Sequence, residues 1–120
     1  MQPEDLGFFL EGIQSAISRI SRHMDGFDFD GFINDEKTID SVVRNLTIIG
    51  EAATALSPEF RSAHSEVPWR NMINMRNRLV HRYFDVDLEI VWKTVNEDLP
   101  VLEKFTQQLL LNENDQQAPE

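Results

Sequence analysis

Apolar residues recur at steps of three and four along almost the whole chain, the spacing of one buried helix face. Leu6, Phe9, Leu10, Ile13, Ile17, Ile20 and Met24 form the first such stripe, and Pro3 suits the opening turn of a helix. From Asp25 to Asp35 the pattern changes to DGFDFDGFIND, acidic and turn-rich, with Phe27, Phe29 and Phe32 alternating. That stretch predicts a connection pinned by buried phenylalanines, with a short strand as the alternative. A second helical stripe begins near Asp35 or Lys37 and runs through Ile39, Val42, Val43, Leu46, Ile49, Ala53 and Leu56. Ser57-Pro58-Glu59 reads as an N-cap followed by proline at the first helical position, which starts a short helix. Val67-Pro68-Trp69 repeats the signal and opens a helix with Trp69, Met72, Met75, Leu79 and Val80 as its core residues. Asp85 is placed to cap a last segment with Leu88, Val91, Trp92, Val95, Leu99, Leu102, Phe105 and Leu109 on one stripe. Pro100 should kink or interrupt it, because proline removes a backbone donor and clashes with the preceding turn.

Four or five helices with short connections predict an all-α antiparallel bundle. Residues 1–111 form the single domain, and the polar tail from 112 to 120 is expected to be disordered, having nothing to bury. No helix alternates with a strand and no glycine-rich loop occurs, which excludes a nucleotide-binding α/β sheet.

The chain has 120 residues, 41% apolar and 27% charged, enough for one core. It contains no cysteine, which removes disulfides and thiolate metal sites. The N-terminal MQPEDLGFFL carries acids where a secretion signal carries basic residues, and no apolar run approaches ~18 residues. The expectation is a cytoplasmic protein with no membrane partner. His23, His64 and His81 are never three or four residues apart, so neither a metal site nor any cofactor is called for.

A net charge of −10 argues at first against nucleic acid. Its distribution changes the picture. Between Val67 and Phe84 there is no Asp or Glu, while Arg70, Arg76, Arg78 and Arg82 contribute +4, leaving −14 for the rest. A bound phosphate responds to the field within a Debye length of about 8 Å rather than to the sum. On an ideal helix Arg76 and Tyr83 lie within ~20° of each other, and Asn77 and His81 within ~40°, with Arg78 nearby. Arg76 and His81 are ~140° apart, so a groove built with a two-fold partner could join them where one flat face could not. Imidazole can act as acid or base near neutral pH, and a guanidinium offers a fixed donor fork to phosphate oxygens. These are the groups that RNA cleavage through the 2′-hydroxyl needs without a metal. On composition alone, the same residues also describe a solvated helix face.

At this stretch the sequence resembles a known family. Arg76-Asn77-Arg78-Leu79-Val80-His81 is similar to the R-N-x-x-x-H motif of HEPN domains, and Arg82-Tyr83 extends it to the R-x4-H-x-Y form of HepT-like ribonuclease toxins. Ile48–Phe60, Val67–Phe84 and Val86–Leu102 each resemble the family's corresponding segments, so the likeness covers nearly the whole chain. The resemblance implies a HEPN bundle that forms a homodimer through the motif-bearing helices. It implies a toxin that cleaves RNA, whether tRNA or mRNA, without a metal or cofactor. Arg76 and His81 would be the catalytic pair, Asn77 and Arg78 would support them, and Arg70 and Arg82 would bind RNA phosphates. The implied partner is a minimal nucleotidyltransferase antitoxin, similar to MntA, that transfers AMP from ATP onto Tyr83. Arg82 departs from the small residue, often glycine, that relatives carry there. A second reading keeps the fold and drops the chemistry: a non-catalytic helical dimer that docks such a partner or binds nucleotides.

Overall fold

The computed structural model describes the backbone of residues 3–117 and the side chains of residues 5–112 apart from residue 83. Seven α-helices follow one another there: α1 (Pro3–Met24), α2 (Phe29–Ile33), α3 (Glu36–Ala55), α4 (Pro58–Ala63), α5 (Trp69–His81), α6 (Leu88–Lys93) and α7 (Leu99–Gln117). A 3-10 turn at Tyr83–Asp85 links α5 to α6, and a π-helical segment at Thr94–Asp98 joins α6 to α7. The result is the expected all-α bundle, 52 × 28 × 20 Å in extent.

The long helices pack as the stripes require. Arg19 Nη1 donates to Asn45 Oδ1 at 3.5 Å, and one turn along α1 His23 Nδ1 bonds Ser41 Oγ. Rising numbers on α1 thus meet falling numbers on α3, so these helices are antiparallel. Helix α7 takes another side of α1, where buried Thr106 donates to Gln14 Oε1 at 2.6 Å. Ile13, Ile17, Ile20, Val42, Leu46, Ile49, Met72, Val91 and Leu102 meet in the core, each 2% exposed or less. Burying one such side chain contributes roughly 1.5–3 kcal/mol.

Local chemistry sets the ends of the helices. Ser57 caps α4 by accepting from Phe60 N at 3.1 Å, and Asp35 caps α3 by accepting from Thr38 N at 3.0 Å. Three expectations need correction. The Asp25–Asp35 stretch holds neither a plain connection nor a strand: Asp28 accepts from Gly31 N at 2.8 Å and starts the short α2. Helical turning lets Phe29 and Phe32 both reach Trp92, with ring centroids 5.6 Å away in each case. The cap of the last segment is Asp87, which accepts from Glu89 N and Ile90 N, because the 3-10 turn consumes Asp85. Val80 is 39% exposed and lies outside the core.

Pro100 does interrupt the last segment, through the π-helical turn just before it. There the Leu99 amide reaches back to the carbonyl of Thr94, so one surplus residue is absorbed ahead of the proline. Among the described residues no helix is long and apolar enough to cross a membrane. The side chains of residues 113–120, where most of the expected tail falls, lie outside the described residues.

Candidate functional site

Helix α5 carries the candidate residues and has two sharply different sides. Trp69, Met72, Met75 and Leu79 are buried, while Arg70, Asn71, Asn74, Asn77, Arg78 and His81 are all exposed. Arg70, Asn74, Asn77 and His81 stand at i, i+4, i+7 and i+11, which puts them in one row along the outer face.

Arg76 does not join that row. It leaves α5 on the side facing α3, and the crossing there is unusually close. A Cβ on Gly50 would lie 2.2 Å from Arg76 Cβ and 2.8 Å from the Met72 carbonyl oxygen. Only a residue without a side chain lets the two helices meet at this point. The arginine stem is trapped against α3, and its side chain is 29% exposed. Its head turns outward, where Nη1 donates to Asn77 Oδ1 at 3.1 Å and Nη2 lies 3.7 Å from Glu51 Oε1. The Nε–H is buried and finds no acceptor among the described residues. Buried donors almost always have partners, so an orphan on a charged group is an unusual feature of this crossing.

Asn77 therefore connects the two sides of the helix. It touches the Arg76 guanidinium and precedes His81 by four residues, one turn along the exposed row. His81 is exposed and is the last residue of α5, whose final amide bond runs from Arg82 N to Arg78 O at 2.8 Å. In a single chain the ~140° offset between Arg76 and His81 remains, with Asn77 between them.

The other sequence-predicted residues occupy separate surroundings. Arg82 Nη2 lies 3.0 Å from Asp85 Oδ2, so the acid-free segment folds onto the first carboxylate beyond it. Arg78 lines a cavity of about 270 Å³ with Arg82, Asp85 and Asp87, and a second of about 250 Å³ with Asn71 and Asp98. Burial raises the Asp98 carboxyl above its ordinary range, partly opposed by Asn71 Nδ2, which donates to it at 3.4 Å. Arg70 lies in a different cleft, between α4 and α5. The side chain of Tyr83 lies outside the described residues. Among those residues no group of three or more His, Asp or Glu is arranged to hold a metal ion.

Sequence reasoning missed Glu51 and the role of Gly50. Both stand in the Ile48–Phe60 segment that resembles the family, yet their effect on Arg76 exists only once α3 crosses α5.

An all-α bundle with an arginine, asparagine and histidine motif on its fifth helix is of the HEPN class. Within it, residues 13–109 match the model of the family described as HepT-like, Ribonuclease HepT-like, and the chain belongs to that family. It is similar to the "Probable ribonuclease HepT" of Thermococcus cleftensis, 45% identical over 94 residues, covering 78% of this chain and 86% of that protein. It is also similar to the "Putative RNase TTE0752" of Caldanaerobacter subterraneus subsp. tengcongensis, 38% identical over 105 residues, or 88% and 94% of the two chains. The "Putative RNase MJ1380" of Methanocaldococcus jannaschii is 36% identical over 104 residues, 87% of this chain and 95% of its own length. No solved structure matches.

Proposed function

We propose that this chain is a metal-independent endoribonuclease that acts as the toxin of a toxin–antitoxin pair in the cytoplasm. The observation that carries the reading is the Arg76 guanidinium: held by α3, one nitrogen unsatisfied, its fork bonded to the asparagine one turn before His81. Membership of the ribonuclease family supports it.

In the proposed reaction a base removes the proton of a 2′-hydroxyl, and that oxygen attacks the adjacent phosphorus. The 5′-oxygen leaves with a proton from an acid, and the upstream strand keeps a 2′,3′-cyclic phosphate. His81 performs the proton transfer, and Arg76 neutralises the charge that grows on the phosphorane oxygens. Asn77 fixes the guanidinium in the orientation that phosphate requires, and Arg78 adds positive charge beside it. The angular offset between Arg76 and His81 is closed by a two-fold homodimer whose α5 helices face each other. Val80 and Phe84, 39% and 81% exposed, supply apolar surface near the end of those helices.

Neutralisation follows from the same electrostatics. A minimal nucleotidyltransferase antitoxin directs the Tyr83 hydroxyl onto the α-phosphorus of ATP, and pyrophosphate leaves. The added AMP phosphate then competes with RNA for the arginines.

Arg76→Ala and His81→Ala should each lower RNA cleavage at least about 100-fold, judged against typical losses for acid–base and electrostatic groups, while the helical signal stays at the parent level. Gel assays with tRNA and mRNA measure this, and parent-like cutting by either variant would defeat the assignment. The net charge of −10 and the carboxylates beside Arg76 and Arg82 favour the second reading, a non-catalytic dimer that docks its partner. Binding of RNA at low salt without any cleavage by the parent would support that one.

A further inference from the structure

An open cleft of about 780 Å³ lies between α4 and the start of α5. It takes no part in the proton transfers proposed above, although Arg70, which the resemblance marks for RNA phosphate, stands on its wall. Arg61, Ser62 and Ser65 line one wall, and Arg70, Asn71 and Asn74 the other. None of its lining residues is acidic, in a chain with 21 Asp and Glu. Arg76 and Arg82 each lie beside a carboxylate, but neither Arg61 nor Arg70 forms an ion pair among the described residues. The Nε–H of Arg61 is buried and, like that of Arg76, finds no acceptor among the described residues. No side chain caps the first turn of α5, which adds its own partial positive charge to this wall.

The cleft is also held in shape before any ligand arrives. Trp69 Nε1 donates to the His64 carbonyl at 3.0 Å, tying the end of α4 to the start of α5. The Trp69 ring lies edge-on to Phe105 with centroids 5.6 Å apart, and Phe60 of α4 packs 6.2 Å from each. Arg70 begins the outer row that ends at His81. Eleven residues of helix separate the two by ~16 Å, the length of about five stacked nucleotides, or fewer when the strand is extended.

We propose that this cleft is a second subsite for the RNA strand, in which Arg61 and Arg70 hold a phosphodiester roughly three to five nucleotides from the linkage at His81. The identity of the strand rests on the ribonuclease reading. The subsite explains how an acidic protein keeps hold of a polyanion: two uncommitted guanidinium groups lie away from the carboxylates that shield Arg76 and Arg82. It also implies a minimum length for a good substrate.

The test uses the full chain and 2′-O-methyl RNA strands, which cannot be cut, of about three and about twelve nucleotides. Fluorescence anisotropy at several salt concentrations reads the binding. The parent should hold the longer strand about tenfold more tightly. Arg61→Gln and Arg70→Gln should each weaken the longer strand about five- to tenfold, lower its salt slope by about 0.7, and leave the short strand unchanged. Ser65→Asp, on an exposed position, should act in the same direction even if Arg61→Gln folds poorly. In cleavage of ordinary RNA Arg61→Gln and Ser65→Asp should raise KM for long substrates and leave kcat alone. Unchanged affinity for the longer strand in all three variants would overturn the proposal. So would loss of binding to an acidic peptide but not to RNA, which would assign the cleft to a protein partner. Because binding is read on strands that cannot be cut, a parent that fails to cleave RNA removes the nuclease reading and leaves this result standing.

Discussion

At Arg76 the Nε–H is buried without an acceptor while the Nη groups emerge between Glu51 and Asn77. An orphan donor of this kind costs on the order of 1–3 kcal/mol, a large share of the stability of a chain this size. The exposed pair with Glu51 returns at most about 1 kcal/mol. A guanidinium whose burial is a net burden to the fold fits the proposed phosphate-binding role better than a structural one. Asp98 presents the opposite case, a partly desolvated carboxyl with no part in the proposed reaction. Burial disfavours its charged form, so its folded-state affinity for a proton is raised above the unfolded one. Stability from that term is fully present below the unfolded pKa and is lost as pH rises through the folded one. Asp98→Asn keeps an acceptor for Asn71 and removes the half-buried charge. Its thermal midpoint should exceed the parent's near about pH 7, with the gap closing towards about pH 4. A constant gap across that range, followed by calorimetry, would show that desolvation is not the cause.

Helices α3 and α5 are the elements that matter most to the site, and Gly50 sets the distance between them. Adding one methyl group at Gly50 forces the helices apart or rotates α5, because two of the three nearest atoms are a backbone carbonyl and an arginine Cβ. Gly50→Ala should destabilise the protein by about 1–3 kcal/mol, read from chemical denaturation, and should depress RNA cleavage in the surviving folded fraction. Full activity with unchanged stability would mean that the crossing is not tight. The helices themselves were legible because their stripes are long: α1 and α3 each present five or more turns of apolar spacing, and Ser57 and Pro58 punctuate α4 unambiguously. Helix α2 was hidden because five residues are too short to display a period, and its phenylalanines mimic alternation. Asp85 and Asp87 offer equal capping chemistry, and only the 3-10 turn decides between them. Val80 follows the helical spacing of a core residue, but it stands near the C-terminal end of α5, where it is 39% exposed while Leu79 beside it is buried.

Across the whole molecule, charge is organised by folding in a way the linear count understates. The acid-free segment keeps its +4 along the chain, yet Glu51 from α3 and Asp85 from the following turn close on two of its arginines. Arg61, outside that segment, joins Arg70 across the cleft instead. The motif was therefore readable in the sequence, while its electrostatic surroundings were not, since they depend on which helices cross. The dimer proposed to complete the site makes a sharp demand on stoichiometry. If Arg76 of one chain works with His81 of its partner, mixing Arg76→Ala with His81→Ala chains rebuilds one intact site per mixed dimer. Refolding the two variants together should then recover about a quarter of parental cleavage, and no recovery would place both groups of each site in the same chain. The meeting of Gly50 with Arg76 has a further consequence for gene inheritance. A single codon change at Gly50 displaces Arg76 without altering any residue of the R-x4-H-x-Y motif. A locus can then keep every motif letter intact and still encode a chain whose arginine is out of place.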